Sequence, residues 1–370
     1  MRERDLQLAN PQLGVKSERS NDPSPWTVAL ELSFTLPSAS RRSAREMLAD
    51  LRVRQAALKK SDTAWRLRAQ VRDGVRELVS ARDQLGLHER ETALADQQLQ
   101  MIDKRVVLGA ASRAELAVMA GRAAQSAQAI AEAKSQVTAA TANLAAAIGV
   151  PSEAIAGFSL PDGGENERVD MEFADYQRNA LQRRHDIRRA LLDYAETEAN
   201  IVLEATRDRD ITLAPGIKWD QGANVWGLAA AFVLPLLHDH RAGVAAAVAQ
   251  REAAARRVDA AQQQSLAEIH AAWTAWQAER AVVAAARTTQ AAEQRSVESA
   301  KKNFAHGMTD RLDLAEAESA FAQAALRLKR AENMLARAAG RLEDAGQYAL
   351  FDSRGEAPSG PLAESTVGRP

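Results

Sequence analysis

One offset, 198 residues, organises this chain. Pro37 and Pro235 stand 198 residues apart, and each closes an apolar stretch, "LSFTLP" and "AAFVLP". The same distance separates Phe34 from Phe232, Gly109 from Gly307, Leu116 from Leu314 and Leu144 from Leu342. A register held from Phe34 to Leu144 without a gap marks an internal repeat, and its period is far too long for a solenoid unit. The sequence therefore reads as a duplicated domain.

The prolines outline what each copy contains. All eleven avoid the tracts 38–150 and 236–357, and residues 244–306 lack glycine as well. Proline costs about 3 kcal/mol inside a helix, so these tracts, rich in Ala, Leu, Arg and Glu, predict helices. They far exceed the roughly 8–20 residues of an ordinary globular helix, which implies a coiled coil or helical barrel. Each tract breaks once at a matching place, "KRVVLGAASRAELAV" (104–118) and "KKNFAHGMTDRLDLAE" (301–316). Gly109 and Gly307 supply the turns, which makes each tract a helical hairpin with a sharp tip.

Strands precede each hairpin. "WTVALELSFTLP" (26–37) alternates without a slip, with Trp26, Val28, Leu30, Leu32, Phe34 and Leu36 on one face. Thr27, Ala29, Glu31, Ser33 and Thr35 fall on the other. In "VWGLAAAFVLP" (225–235) Trp226, Leu228, Ala230, Phe232 and Leu234 share a face. "DITLAPGIKWD" (210–220) groups Ile211, Leu213, Pro215, Ile217 and Trp219, and "QLGVKSE" (12–18) is its first-half partner. Strands of about 9–11 residues with one apolar face have the length of tilted membrane-spanning strands. Open sheet edges cannot be satisfied in lipid, and the smallest membrane barrels have eight strands, so four per chain demand an oligomer. The rival reading of the pattern is a four-stranded sheet covered by helices in water. The helices favour the first: Pro37 to Gly109 spans roughly 108 Å at 1.5 Å per residue.

Composition excludes other classes. The 48 basic and 49 acidic residues nearly cancel, which leaves no nucleic-acid footprint. Cysteine is absent, which excludes disulfides, zinc–thiolate sites and a thiol nucleophile. No run of about 18 apolar residues provides a transmembrane helix. No Ser–His–Asp arrangement, phosphate loop or close carboxylate pair points to catalysis, so the expectation is a protein that is not an enzyme and needs no cofactor.

The strand–strand–helix plan, the "NPQLGV" opening, "LPLLHDHRAGVAAAVAQREAA" after the last strand and helices ending "LAAAIGVP" resemble the TolC-type outer-membrane efflux channel family. The resemblance covers nearly the whole chain. It implies a homotrimer whose twelve strands close a barrel in the outer membrane above a periplasmic helical tunnel. It also implies partners: a periplasmic adaptor (membrane fusion protein) and an inner-membrane efflux pump. "ANPQL" and the short hairpin loops resemble the heavy-metal cation efflux branch. On this reading the fold is mainly α with a small β part. It comprises a first β-hairpin (1–37), a first helical hairpin (38–149) and a connector (150–174). A helix (175–208) leads into a second β-hairpin (209–235), a second helical hairpin (236–346) and a disordered tail (347–370). The counterpart of helix 175–208 would fall at −23 to 10, and family members carry an export signal. The sequence is therefore expected to be N-terminally truncated or started at a misplaced codon.

The resemblance also assigns residues. Asp313 and Glu316 fall where the family has paired aspartates, and Glu115 where it has an acidic residue tied to the gate. Three-fold symmetry turns each carboxylate into a ring that favours cations. The alternative is an ordinary helix start, where acidic side chains suit the dipole. The arginine that closes the gate network in some members falls at Thr309. Gly109, Arg113, Leu116 and their equivalents Gly307, Arg311 and Leu314 are candidates for adaptor docking. His238, Asp239 and His240 have metal-ligating chemistry, yet neighbours at a strand-to-helix junction diverge, so no metal is assigned. His88, His185, His270 and His306 read as isolated surface residues, and Trp65, Trp273 and Trp276 as packing between helices. The functional expectation is the exit duct of a tripartite efflux system for heavy-metal cations. A drug-efflux or type I secretion duct is the alternative within the class, and a coiled-coil scaffold or adaptor the alternative outside it.

Overall fold

A computed structural model describes residues 10–19, 26–158, 171–220, 222–233, 240–347 and 350. In chain order the elements are β1 (Gln12–Arg19), β2 (Trp26–Leu36), α1 (Ala39–Val107), α2 (Arg113–Ile148), a 3-10 helix (Ser152–Gly157), α3 (Phe173–Arg183), α4 (His185–Ala205), β3 (Ile211–Asp220), β4 (Ala223–Phe232), α5 (Arg241–Ala305) and α6 (Arg311–Gly346). The helical hairpin expected over 38–149 is α1 and α2, and that over 236–346 is α5 and α6. Residues 234–239, and with them Leu234, His238 and Asp239, lie outside the described residues. So does 351–370 of the tail.

The segment expected as one helix, 175–208, is two. Arg184 leaves the helical region with ψ 125°, while its N–H still bonds the Ala180 carbonyl. Its buried guanidinium is held by Glu268 at 2.6 Å and the Ala345 carbonyl at 3.2 Å. Those long-range bonds offset the hydrogen bonds lost at the break.

The chain divides into two compact units, residues 1–62 with 185–264 and residues 63–184 with 265–370. The first holds one antiparallel sheet in the order β1-β2-β3-β4. The second holds two hydrophobic clusters. One gathers Leu78, Ala140, Leu144 and Ile155 with Val71, Val75 and Val137. The other gathers Ile269, Trp276, Leu335, Ala338 and Leu342 with Trp273, under Tyr176 and Ala180 of α3. Val71, Val75, Leu78, Val137, Ala140 and Leu144 stand 198 residues before Ile269, Trp273, Trp276, Leu335, Ala338 and Leu342. Small alanines let the backbones approach, and the second cluster is filled by aromatic rings where the first has aliphatic ones. Trp273 and Trp276 tilt against each other at 5.3 Å.

Candidate functional site

The sheet forms one candidate surface. Its register sets Val15, Leu30, Ile217 and Trp226 on one line across all four strands. Side chains alternate between faces along a strand, so Leu13 and Val15 join Val28, Leu30, Leu32, Phe34, Leu36, Leu213, Leu228 and Phe232 on a single apolar face. Most of these side chains are exposed; Leu32 is half-buried. Trp26, Trp219 and Trp226 lie near the hairpin ends, and Phe34 and Phe232 near the helical end. The opposite face carries Thr27, bonded to Asp220 at 3.0 Å, and a Lys218–Asp220 pair at 2.9 Å. Among the described residues β1 and β4 each leave one edge without a strand partner, and every residue of both is exposed.

The two tips form the other. At the first, the Gly109 N–H bonds the Val106 carbonyl at 3.0 Å and the Ala110 N–H bonds that of Arg105 at 2.7 Å. At the second, Gly307 bonds Phe304 at 3.0 Å and Met308 bonds Asn303 at 2.9 Å. These are the same bonds 198 residues on. Both glycines take positive φ, 71° and 68°, a conformation that side chains with a Cβ disfavour. Ser112 then caps α2 and Asp310 caps α6, each in a complete capping box. The Ser112 N–H donates to Glu115 at 2.9 Å, and the Asp310 N–H donates to Asp313 at 3.1 Å. Two of the three carboxylates expected at a constriction thus close helix caps, and Glu316 is exposed one turn further on. Arg113 and Arg311 are exposed in the first helical positions, with Leu116 and Leu314 half-buried behind them.

Sequence reasoning missed two features of the tips. Arg105 reaches from the end of α1 to the Asp310 carboxylate and ties one tip to the other. The Asp313 N–H and the Arg105 guanidinium hold the Asp310 carboxyl below the usual carboxylate range. Its signal was a basic residue in the last turn of α1. The tips also display Val107, Leu108 and Met308, which are 80%, 81% and 66% exposed. Large apolar side chains gathered at a tip mark a contact surface.

One histidine departs from expectation, while His270 and His306 are exposed. His185 is buried, not at the surface: its Nε2 lies 3.0 Å from the Ser61 hydroxyl, and burial lowers its pKa. Asp62 stands 3.8 Å from its Nδ1 and binds Arg189 at 3.1 Å. That is too long for a hydrogen bond, so the three side chains do not form a catalytic triad. His240 pairs with Asp208 at 2.6 Å. Among the described residues there is no group of three or more metal-ligating side chains, and no helix is long and apolar enough to cross a membrane.

A sheet with one largely apolar face, edges that lack a strand partner among the described residues, and helices of 69 and 65 residues are features of a channel-type architecture. The family model for outer membrane efflux proteins matches residues 9–150 and 177–345, and the chain belongs to that family, one of channels and not of enzymes. No curated protein matches the sequence. Among solved structures, a membrane protein from Pseudomonas aeruginosa is 17% identical with a TM-score of 0.76, covering 93% of this chain and 82% of that one. The outer membrane protein VceC from Vibrio cholerae is 15% identical with a TM-score of 0.74, covering 93% and 88%. CusC, solved in work on folding and transmembrane channel formation, is 16% identical with a TM-score of 0.71, covering 93% and 84%. At these identities the likeness is one of fold.

Proposed function

We propose that this chain is one third of a homotrimeric exit duct in the bacterial outer membrane, serving a tripartite efflux system. A single observation carries the reading: the register gathers most large apolar residues of all four strands on one face, and among the described residues β1 and β4 each leave an edge without a strand partner. Three copies supply twelve strands, enough to close a barrel with no edge exposed to lipid. Residues 26–36 and 223–232 then present Trp26, Val28, Leu30, Leu32, Phe34, Leu36, Trp226, Leu228 and Phe232 to lipid. Thr27, Glu31 and Ser33 face water. The tryptophans near one end and Phe34 and Phe232 near the other suit the aromatic girdles of such barrels. The matching cluster positions, tip hydrogen bonds and caps support origin of the two halves by duplication.

The tips are the docking and gating end of the duct. Val107, Leu108 and Met308 offer apolar contact to a periplasmic adaptor, with an inner-membrane pump behind it supplying energy. Arg113 and Arg311 sit where a helix dipole disfavours a cation, which suits side chains kept for contact with a partner. Repeated three-fold, Asp313, Glu316 and Glu115 give the constriction a negative field that favours cations, in keeping with metal-ion cargo.

The test uses the full chain carrying an export signal. Leu30→Asp and Phe232→Asp place a charge against lipid, at a cost that falls short of the roughly 2–4 kcal/mol of a midplane Arg or Lys; Ser33→Asp places one toward water. The first two variants should be lost from the outer-membrane fraction, and the third should accumulate there. Equal accumulation of all three contradicts the reading.

A further inference from the structure

Where the strands meet the helices, three segments are joined at one place. The Ser38 N–H donates to Asp210 at 3.3 Å, and Arg41 pairs with the same carboxylate at 3.2 Å. Arg41 also donates to the Arg207 carbonyl at 2.7 Å. His240 pairs with Asp208 at 2.6 Å, and Glu204 stands 3.7 Å from Arg207. The start of α1, the turn after α4 and the start of α5 are thus tied together just beyond the line Leu36–Ile211–Phe232.

This joint takes up acidic side chains and leaves basic ones on the surface. Asp208 and Asp210 are held within it. Arg42, Arg207 and Arg209 are exposed, and among the described residues Arg42 and Arg209 have no ion-pair partner. Local electrostatics do not account for the excess. The first turn of α1 contains no acidic residue, although a helix start favours anions and disfavours cations.

Depth indicates what these arginines meet. Ile211 is the first residue of β3 and stands on its apolar face, opposite Leu36 and Phe232. Arg209 precedes it by two residues, at most roughly 7 Å at about 3.3 Å per residue. The polar layer on each side of a bilayer's hydrocarbon core is itself about 5–7 Å thick. Phe34 and Phe232 mark the apolar rim, and an arginine beyond that rim can lay its stem on apolar surface while its head reaches the phosphates.

We infer that Arg42, Arg207 and Arg209 form a basic collar that holds the phosphate groups of anionic phospholipid where the barrel gives way to the tunnel. The inference rests on the membrane-barrel reading and adds the class of lipid at its inner rim. A guanidinium matches a phosphate with paired hydrogen bonds. A zwitterionic headgroup carries its own cation, which the collar repels, so the collar favours lipids of net negative charge.

The test uses the full chain with an export signal, extracted from outer membranes, stripped of lipid in detergent and titrated with phosphatidylglycerol or phosphatidylcholine. Native mass spectrometry counts the lipids retained per trimer. Each basic residue close to an anionic lipid surface strengthens attraction roughly five-fold. The unchanged chain should therefore retain phosphatidylglycerol at least about five-fold better. Arg42→Gln, Arg207→Gln and Arg209→Gln together should bring the two lipids close to equal, whereas Lys60→Gln, further along α1, should keep the preference. In about 1 M salt, where the screening length falls to about 3 Å, the unchanged chain should lose most of it; this arm needs no variant to fold. An intact trimer that retains both lipids equally, or whose preference survives the triple substitution or the salt, overturns the collar and leaves the duct standing. A chain absent from the outer membrane overturns both.

Discussion

The two halves of this chain share a backbone and differ in charge. At the first tip the cap is the neutral Ser112; at the second it is the anionic Asp310. In the first cluster Ala145 is buried where the second has Glu343, itself only 2% exposed. The cations that answer these carboxylates come from the other half: Arg72 of α1 holds Glu343 at 3.0 Å and Asp344 at 2.7 Å, and Arg105 of α1 holds Asp310. Arg76 adds a bond to the Ala336 carbonyl at 2.9 Å. Burial opposes the Arg72 charge, but hydrogen bonds to Asp344 and Asp73 outweigh it and raise its pKa. At these two places the cation stands on α1 and the carboxylate on α6, while the more exposed Lys329–Asp83 pair at 3.5 Å and Arg337–Glu77 pair at 3.9 Å run the other way.

The largest effect should come from the buried pair. Glu343→Ala strips Arg72 of its innermost partner and frees the Leu350 N–H, now 2.9 Å from Glu343 Oε1. Removing one partner of a buried ion pair costs about 3–5 kcal/mol. Hydrogen exchange in α6 should show a loss of protection of that order. Ala145→Ser at the matching site of the first half has no such partner to strand and should cost much less. Equal losses at the two sites would mean that the Arg72–Glu343 pair does not set the two halves apart.

The tips should show a smaller difference of the same kind. Ser112→Ala and Asp310→Ala each remove a cap worth about 1 kcal/mol, read as faster exchange in the first turn of α2 or α6. Only Asp310→Ala should also loosen the Arg105 end of α1. Because the folded pKa of Asp310 lies below its ordinary value, its stabilising effect is complete above the usual carboxylate range. That effect disappears as pH falls through the lowered value. Exchange at the second tip should therefore quicken in acid while the Ser112 cap responds less. A second tip indifferent to acid would break the comparison at its electrostatic root.

How much of this the sequence disclosed follows from distance along the chain. Gly109 and Gly307 gave the turns because a positive φ leaves a local mark. The helices announced themselves by the absence of proline, and the strands by alternation. "SRAE" at 112–115 spells a capping box, the helix-start alternative to the gate role that the family resemblance implies for Glu115. Arg72 with Glu343 and Arg105 with Asp310 join residues 271 and 205 positions apart, and no periodicity points from one to the other. The break at Arg184 was hidden for the same reason, since its partners Glu268 and Ala345 lie far off in the chain.

The central claim is that three copies close one barrel, and the mass of the complex extracted from outer membranes tests it most directly. With detergent or lipid accounted for, the protein component should weigh three times the 40.0 kDa chain. A single chain's mass in that extract would contradict the account.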